Sequence, residues 1–559
     1  MTLHLDLFTL SLSSIPFLLF FFLRLLRRRS ASRRRPSPGG PAETPCPESH
    51  PIVGNLVGFL RNRHRFHDWV ADMLSRTPSS TLRVNSFLGL SRGVCTSNPL
   101  NLQHLLSSSF PNYVKGSRYH AVLRELLGDG IFAVDGHLWS LQRKIASHEF
   151  TTRSLKHFIS ETVGREISDR LLPFLSRACD EGRVVDLQEA LQRFAFDNIC
   201  SVAFGVDPNC FAAEEASEEI SGRNSNFVKA FDEAVENCSS RFMSPLPALW
   251  KLKRFFNLGS EKRFRSNIRV INEFAMDIIK SKEEQIESAA TGRENGDERS
   301  RDRDLLSRFM SSSADLEFRN LEEKRKFLRD IVISFVLAGK DSTSTALTWF
   351  FWLIAAHPLC ERKILKELSA ATAASTTSGV KIFSYDELKS LHYLHAAVTE
   401  SMRLFPPVPI NSRLTVDDDV LPDGTHVGKG WFADYSAYAM GRSEEVWGPE
   451  CREFKPGRWL EGDGGGDGHD GDRQDGRFRP ADQWKYPVFH CGPRMCLGKE
   501  MAYVQMKSVA AAVMAEFEVL PAADGGERGR RRMVDPQYTL SLVLKLRGGL
   551  PVRLRRRRD

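Results

Sequence analysis

The 559-residue sequence predicts a mainly α body with small β-sheets, carried on a single N-terminal transmembrane helix. Three observations support this. Residues 156–178, 185–203, 262–287 and 321–356 repeat apolar side chains at three- and four-residue spacing, the mark of amphipathic helices. Strand signals are few and short: 81–87, 414–427 as a hairpin about Pro422-Asp423-Gly424, and 538–546. Length alone suggests three or four domains, but no clean linker divides the chain after residue 51, so one large domain over residues 52–559 is equally open.

Residues 1–26 form the predicted anchor. The run 7–26 is apolar apart from Thr9, three serines, Pro16 and Arg24. At ~1.5 Å per residue it reaches ~30 Å, enough to cross a bilayer with Arg24 snorkelling to the interface. Arginines 24, 27, 28, 29, 33, 34 and 35 follow the run, whereas a secretory signal carries its charge before it. The positive-inside rule then leaves the body cytosolic and the N-terminus lumenal. Residues 27–51 are first basic and then rich in Pro and Gly, a semi-rigid spacer. Residues 287–304 and the Gly/Asp-rich 462–476 have no means of burying a core and read as surface insertions.

The net charge of +8 sits in two tails. Residues 1–35 hold +6 and residues 553–559 hold +4, which leaves −2 for the body. A nucleic-acid footprint would be a basic face on the folded body, so that class is excluded. The ten cysteines show no C-x-x-C and no repeated spacing. They are not a disulfide framework and fit a reducing compartment.

The run from Phe489 to Gly498 concentrates the chemistry. Cys496 lies two residues after Arg494 and just before a predicted helix over 497–509. Positive charge and a helix N-terminus both favour a thiolate, the form in which cysteine binds metal. Gly492 and Gly498 let the backbone approach a flat, bulky group. One thiolate without partners at zinc spacing is wrong for zinc, and it suits a haem iron with one axial cysteine.

A second constellation lies inside the apolar helix 321–356, where Ala338-Gly339-Lys340-Asp341-Ser342-Thr343 interrupts it. An acid and two hydroxyls are costly to bury without partners. Oxygen activation needs them, because protons must be delivered while bulk water is kept out. Hydroxyls there can also take over backbone hydrogen bonds and loosen the helix locally.

Phe489, Gly492, Arg494, Cys496 and Gly498 fill F-x-x-G-x-R-x-C-x-G, which resembles the haem-binding loop of the cytochrome P450 family. The resemblance supplies the thiolate–haem chemistry that spacing alone does not. The central run is similar to the family's A-G-x-[DE]-T-[TS], departing at Ser342, where threonine is usual. Glu400 and Arg403 match E-x-x-R, and Phe454, Pro456, Arg458 and Trp459 match F-x-P-x-R-W; the resemblance makes both structural. Trp139 and Arg143 match W-x-x-x-R, whose members share a helix face. Within the family, runs such as Arg403-Leu404-Phe405-Pro406-Pro407 and Tyr438-Ala439-Met440-Gly441-Arg442 look like plant fatty-acid omega-hydroxylases. That clan also contains jasmonoyl-isoleucine hydroxylases.

The resemblance implies a haem b cofactor held by Cys496, with Trp139, Arg143, Phe489, Arg494 and Gly498 around it. Asp341, Ser342 and Thr343 become the proton-handling residues. The endoplasmic reticulum membrane is the location that the resemblance implies. Electrons would come from NADPH through a separate NADPH-cytochrome reductase, since no flavin or nucleotide motif is present. The implied reaction is hydroxylation of a fatty acid at or near its methyl end. Residues 113–127, Phe335, Ala338, 408–412 and 538–542 are expected to line the pocket. Jasmonoyl-isoleucine oxidation is the alternative. A reductase-independent haem-thiolate isomerase or dehydratase is a further one, although it needs no acid-plus-hydroxyl pair, and a non-enzymatic haem sensor is another.

Overall fold

The computed structural model describes residues 44–559 except 51, 90, 212–217, 245–246, 292–303, 313–317, 374–381, 462–475, 523–535 and 558–559. The chain divides into units 1–43 and 44–559, and every described residue belongs to the second. The predicted anchor, the spacer up to residue 43 and the Gly/Asp-rich insertion up to residue 475 therefore lie outside the described residues. Among those described, no helix is long and apolar enough to cross a membrane.

The helices that build and surround the site are α1 (Phe66–Ser75), α2 (Gly116–Leu127), α3 (Gly136–Ser147), α4 (Leu187–Phe204), α5 (Glu218–Phe242) and α6 (Pro247–Phe255). They continue with α7 (Gly259–Thr291), α8 (Leu321–Val336), α9 (Ser342–Ala356), α10 (His392–Leu404) and α11 (Lys499–Glu516). Periodicity foresaw several of these runs, because an apolar stripe must find a core to cover it.

Residues 321–356 are helical throughout, as the sequence predicts, but not uniformly α. One π-helical segment, Leu337–Asp341, joins α8 to α9, and such segments often mark functional sites. Every residue of α9 from Thr343 to Ile354 is buried, so this helix runs through the core. Trp349 stacks on Phe405 at 4.1 Å between ring centroids, and its indole N–H donates to the Leu544 carbonyl at 2.6 Å. That bond fixes segment 538–546 beside the central helix. The strand expected there is reduced to one bridge, Tyr538 to Leu546.

The β structure is small, as expected, with more pieces than the sequence suggested. The principal sheet has the order β1 (Thr81–Asn85), β2 (Arg92–Thr96), β8 (Phe432–Tyr435), β5 (Asn411–Thr415) and β3 (Tyr113–Val114). All neighbours are antiparallel except β2 and β8, where Cys95 pairs with Asp434. The hairpin about Pro422-Asp423-Gly424 is present as β6 (Asp419–Val420) and β7 (His426–Val427). A three-stranded sheet of β4 (Val185–Asp186), β10 (Pro551–Arg556) and β9 (Phe517–Pro521) closes the far end of the chain onto α4.

The residues from Thr44 onward are tied to this body. The Arg83 amide donates to the Pro45 carbonyl at 2.8 Å, and the Trp69 indole donates to Glu48 at 3.2 Å.

Behind the cysteine loop lies a buried charged knot on α10. Glu400 and Arg403 have fully buried side chains and pair at 2.7 and 2.8 Å. Glu400 also accepts from Arg458, from the Trp459 indole and from the Lys455 amide, each at 2.9 Å. Burial alone would raise the Glu400 carboxyl, but Arg403 and Arg458 hold it below its usual range. One residue before Glu400, the Thr399 carbonyl accepts from the Tyr486 hydroxyl at 3.0 Å, at the entry to the cysteine loop.

Candidate active site

A cavity of about 740 Å³ is lined by Gly339, Ser342 and Thr343 from the central helix and by Phe489, Cys496 and Gly498 from the cysteine loop. Two sequence motifs about 150 residues apart thus meet around one space. The expected lining from α2, Phe335, Ala338, Val408 and Leu540 is present. Its extension along Phe59, Phe66, Trp69 and Met73 was not legible, since those residues look like ordinary core.

The cysteine loop is held by its own backbone. The Cys496 amide donates to the Phe489 carbonyl at 2.8 Å. Gly492 adopts φ +64°, and a Cβ there would sit 2.1 Å from the Leu106 carbonyl, so only glycine fits. Cys496 is open to the cavity yet deep within the protein. Burial pushes its thiol up, while the Gly498 amide, Arg143 and Lys499 act to lower it. A side chain at Gly498 would begin 3.9 Å from the sulfur. The helix that follows starts at Lys499 rather than 497.

Arg494 serves elsewhere than its sequence position suggests. Its guanidinium bonds Asp135 at 2.6 Å and the Val134 carbonyl at 2.9 Å, and lies 4.5 Å from the Trp139 ring centroid. Arg143 is the arginine whose charge acts on the sulfur, and it donates to the Met495 carbonyl at 2.7 Å. Trp139 and Arg143 share α3, as their spacing predicts.

The structure adds cations that no motif announced. Lys115 and Arg413 are buried, line the same cavity and crowd Arg494. Burial and then Arg413 push the Arg494 guanidinium down to about 10. Burial, followed by Arg413 and Arg494, pushes the Lys115 ammonium well below its ordinary value. Asp135 is the carboxylate set against them, and among the described residues the Arg413 and Arg494 Nε atoms have no hydrogen-bond partner. Buried charge without a counterion is costly, so this cluster calls for an anionic group in the cavity. The two carboxylates of a haem would meet that need, and the Cys496 sulfur could serve as an axial ligand. The residues present fit the group. Neither Lys115 nor Arg413 was singled out by the sequence: Lys115 falls inside the expected lining 113–127, and Arg413 lies between the expected lining 408–412 and the predicted hairpin 414–427.

In the central helix, the Ser342 hydroxyl donates to the Ala338 carbonyl at 2.6 Å across the π segment. Thr343 faces the same cavity. Asp341 does not line it. Its carboxylate is fully buried, pairs with Lys340 at 2.7 Å and approaches Lys545 to 3.7 Å. Both lysines also reach Asp232 on α5, at 2.6 and 3.1 Å. Burial alone would raise the Asp341 carboxyl, but Lys340 and Lys545 hold it below its usual range. Gly339 lines the cavity and also permits a close approach to Ile199 on α4, whose side chain lies 2.5 Å from where a Cβ would be.

Comparison with known proteins agrees with this geometry. A profile described as Cytochrome P450 matches residues 44–535, and the chain belongs to the cytochrome P450 family. It is thus a monooxygenase that uses haem with an axial cysteine thiolate. Among its relatives, cytochrome P450 94A2 of Vicia sativa is 42% identical over 96% of each chain. Cytochrome P450 94B1 of Arabidopsis thaliana is 39% identical over 91% of each chain. A crystal structure titled cytochrome P450DA heme domain matches with TM-score 0.69 and 19% identity, covering 93% of this chain and 99% of that one. That last likeness concerns the fold alone.

Proposed function

We propose that Cys496 is the axial ligand and that the chain hydroxylates a fatty acid at or near its methyl end. The observation that carries this is an apolar cavity onto which Cys496 and Ser342 both open. Haem bound there would supply oxygen activation and C–H cleavage, with thiolate electron donation favouring the former. Trp139, Arg143 and Arg494, with Lys115 and Arg413, would hold its carboxylates. Phe489 and Gly498 would cradle its thiolate face. Ser342 holds a proton at its Oγ at the cavity wall, whereas Asp341, held as a carboxylate by Lys340 and Lys545 off the cavity, is not placed to replenish it. Thr343 is the second hydroxyl on the same wall. A methyl-end C–H is the hardest in the chain to break, so the cavity must select it by position.

Electrons would come from NADPH through a separate NADPH-cytochrome reductase. The endoplasmic reticulum membrane is the proposed location, with the body cytosolic. Helix α6 supports membrane contact: it buries none of its residues and exposes Leu249, Leu252 and Phe255 beside Lys251 and Lys253. An apolar face edged with lysine suits the lipid interface.

Microsomes containing the chain and a reductase test both parts. Fed a panel of fatty acids and jasmonoyl-isoleucine, they should release products hydroxylated at the methyl end of a fatty acid. Products from jasmonoyl-isoleucine alone would replace this substrate. Protease outside sealed microsomes should digest the body, and full protection would overturn the topology.

The proton-handling assignment has its own test. Ser342→Ala should still consume NADPH and oxygen but divert most electrons to peroxide, lowering product per NADPH by about 3- to 10-fold; one lost hydrogen bond of ~1 kcal/mol is worth roughly this. Thr343→Ala should be affected less, since it is Ser342 that bonds across the π segment. Uncoupling confined to Thr343→Ala would reassign the hydroxyl.

A further inference from the structure

If the cavity holds a carboxylate-bearing lipid, some cation should receive that carboxylate. Lys115, Arg143, Arg413 and Arg494 belong to the cluster that fits haem. Arg241 is saturated, with Glu261 and Glu125 each at 3.0 Å from its nitrogens. Arg118 and Lys251 remain among the described cations lining the cavity. Lys251 sits on the outer surface of α6, exposed to water, where an ion pair is worth little.

Arg118 is placed differently. It lies in the first turn of α2, with its guanidinium 4.4 Å from the Phe432 ring centroid and Nη1 donating to the Ser412 hydroxyl at 3.2 Å. Its carboxylate neighbour, Asp434, is no closer than 3.9 Å. Burial pushes the Asp434 carboxyl up, which weakens it as a counterion. Among the described residues, Nε and Nη2 of Arg118 have no hydrogen-bond partner. Phe432, Ser412 and Asp434 line the same cavity. The guanidinium is therefore fixed in plane on one edge and open on the other.

We propose that Arg118 receives the substrate carboxylate on its open Nε–Nη2 edge and so determines which end of the lipid is left for oxidation. This rests on the reading above that the substrate is a lipid acid. A guanidinium edge matches a carboxylate with two parallel hydrogen bonds, which a lysine cannot reproduce. With the acid end tethered, chain length decides which carbon reaches the reacting position. Arg118 is a specificity-determining residue, not a proton carrier.

The test compares a lipid acid with its methyl ester, reading affinity from the substrate-induced optical shift of the haem protein rather than from turnover. The wild type should prefer the acid by about 10- to 100-fold, the range of a charge-assisted pair. Arg118→Gln should bring that ratio to within about 3-fold, and Arg118→Lys should fall between, since it keeps charge and loses the fork. Lys251→Gln should keep the wild-type ratio. An unchanged ratio in Arg118→Gln, or loss of the ratio in Lys251→Gln instead, overturns the assignment. If Arg118→Gln fails to load haem, Arg118→Lys decides, and a wild-type ratio there overturns it too. A wild type that oxidises no lipid acid at all sinks the functional reading itself, a result distinct from these.

Discussion

Cys496→Ser is expected to abolish activity and to remove the long-wavelength Soret band of the ferrous carbonyl adduct. An alcohol at this position cannot supply the thiolate on which that band and oxygen activation depend. The informative control is Cys491→Ala, in the same loop. Cys491 is buried, its sulfur contacts the Gln483 carbonyl at 2.9 Å, and burial pushes its thiol up to about 12. Such a group is inert, and it does not line the cavity. Cys491→Ala should therefore keep the band and lose at most about 1 kcal/mol of stability, the worth of one hydrogen bond. A band that survives in Cys496→Ser and disappears in Cys491→Ala would show that the ligand is misassigned.

Glu400→Gln should have the largest effect on folding. The carboxylate is the counterion for Arg403, whose side chain is fully buried. Removing one partner of a buried pair costs about 3–5 kcal/mol. Against a typical domain stability of about 5–15 kcal/mol, that loss should lower the thermal midpoint by several degrees and reduce haem incorporation. The effect has a pH signature. The folded-state pKa of Glu400 lies below its ordinary 4.5, so its stabilisation is complete above that value and is lost as pH falls through the depressed one. Wild type and variant should thus differ by the same amount at pH 7 and pH 6, and converge only below about 4.5. Equal midpoints at neutral pH would show that the knot does not stabilise the fold.

The legible parts of the fold were those written in local spacing. The run 321–356 announced a buried helix, and the hydroxyls within it announced a local loosening, found as the π segment 337–341. Strands β2 and β8 were missed because neither alternates strongly and each is only four or five residues long. Their pairing, Gly93 with Phe432, joins positions that no local pattern relates. The same division runs through the site. Cys496, Ser342 and the Glu400–Arg403 pair were readable because each sits in a short motif whose chemistry is demanding. Lys115, Arg118 and Arg413 were not singled out, because what distinguishes them is their place on one cavity wall.

By itself, then, the sequence determined the helical class, the cysteine loop, the polar interruption of the central helix and the family to which these belong. Only the tertiary structure decided the partners. It sent Arg494 to Asp135 and gave the sulfur to Arg143, turned Asp341 into a lysine clamp away from the cavity, and left one edge of Arg118 open. The physical reason is range. Helix periodicity and motif geometry act over a few residues, whereas desolvation and ion pairing depend on which distant segments the fold brings within a few ångströms.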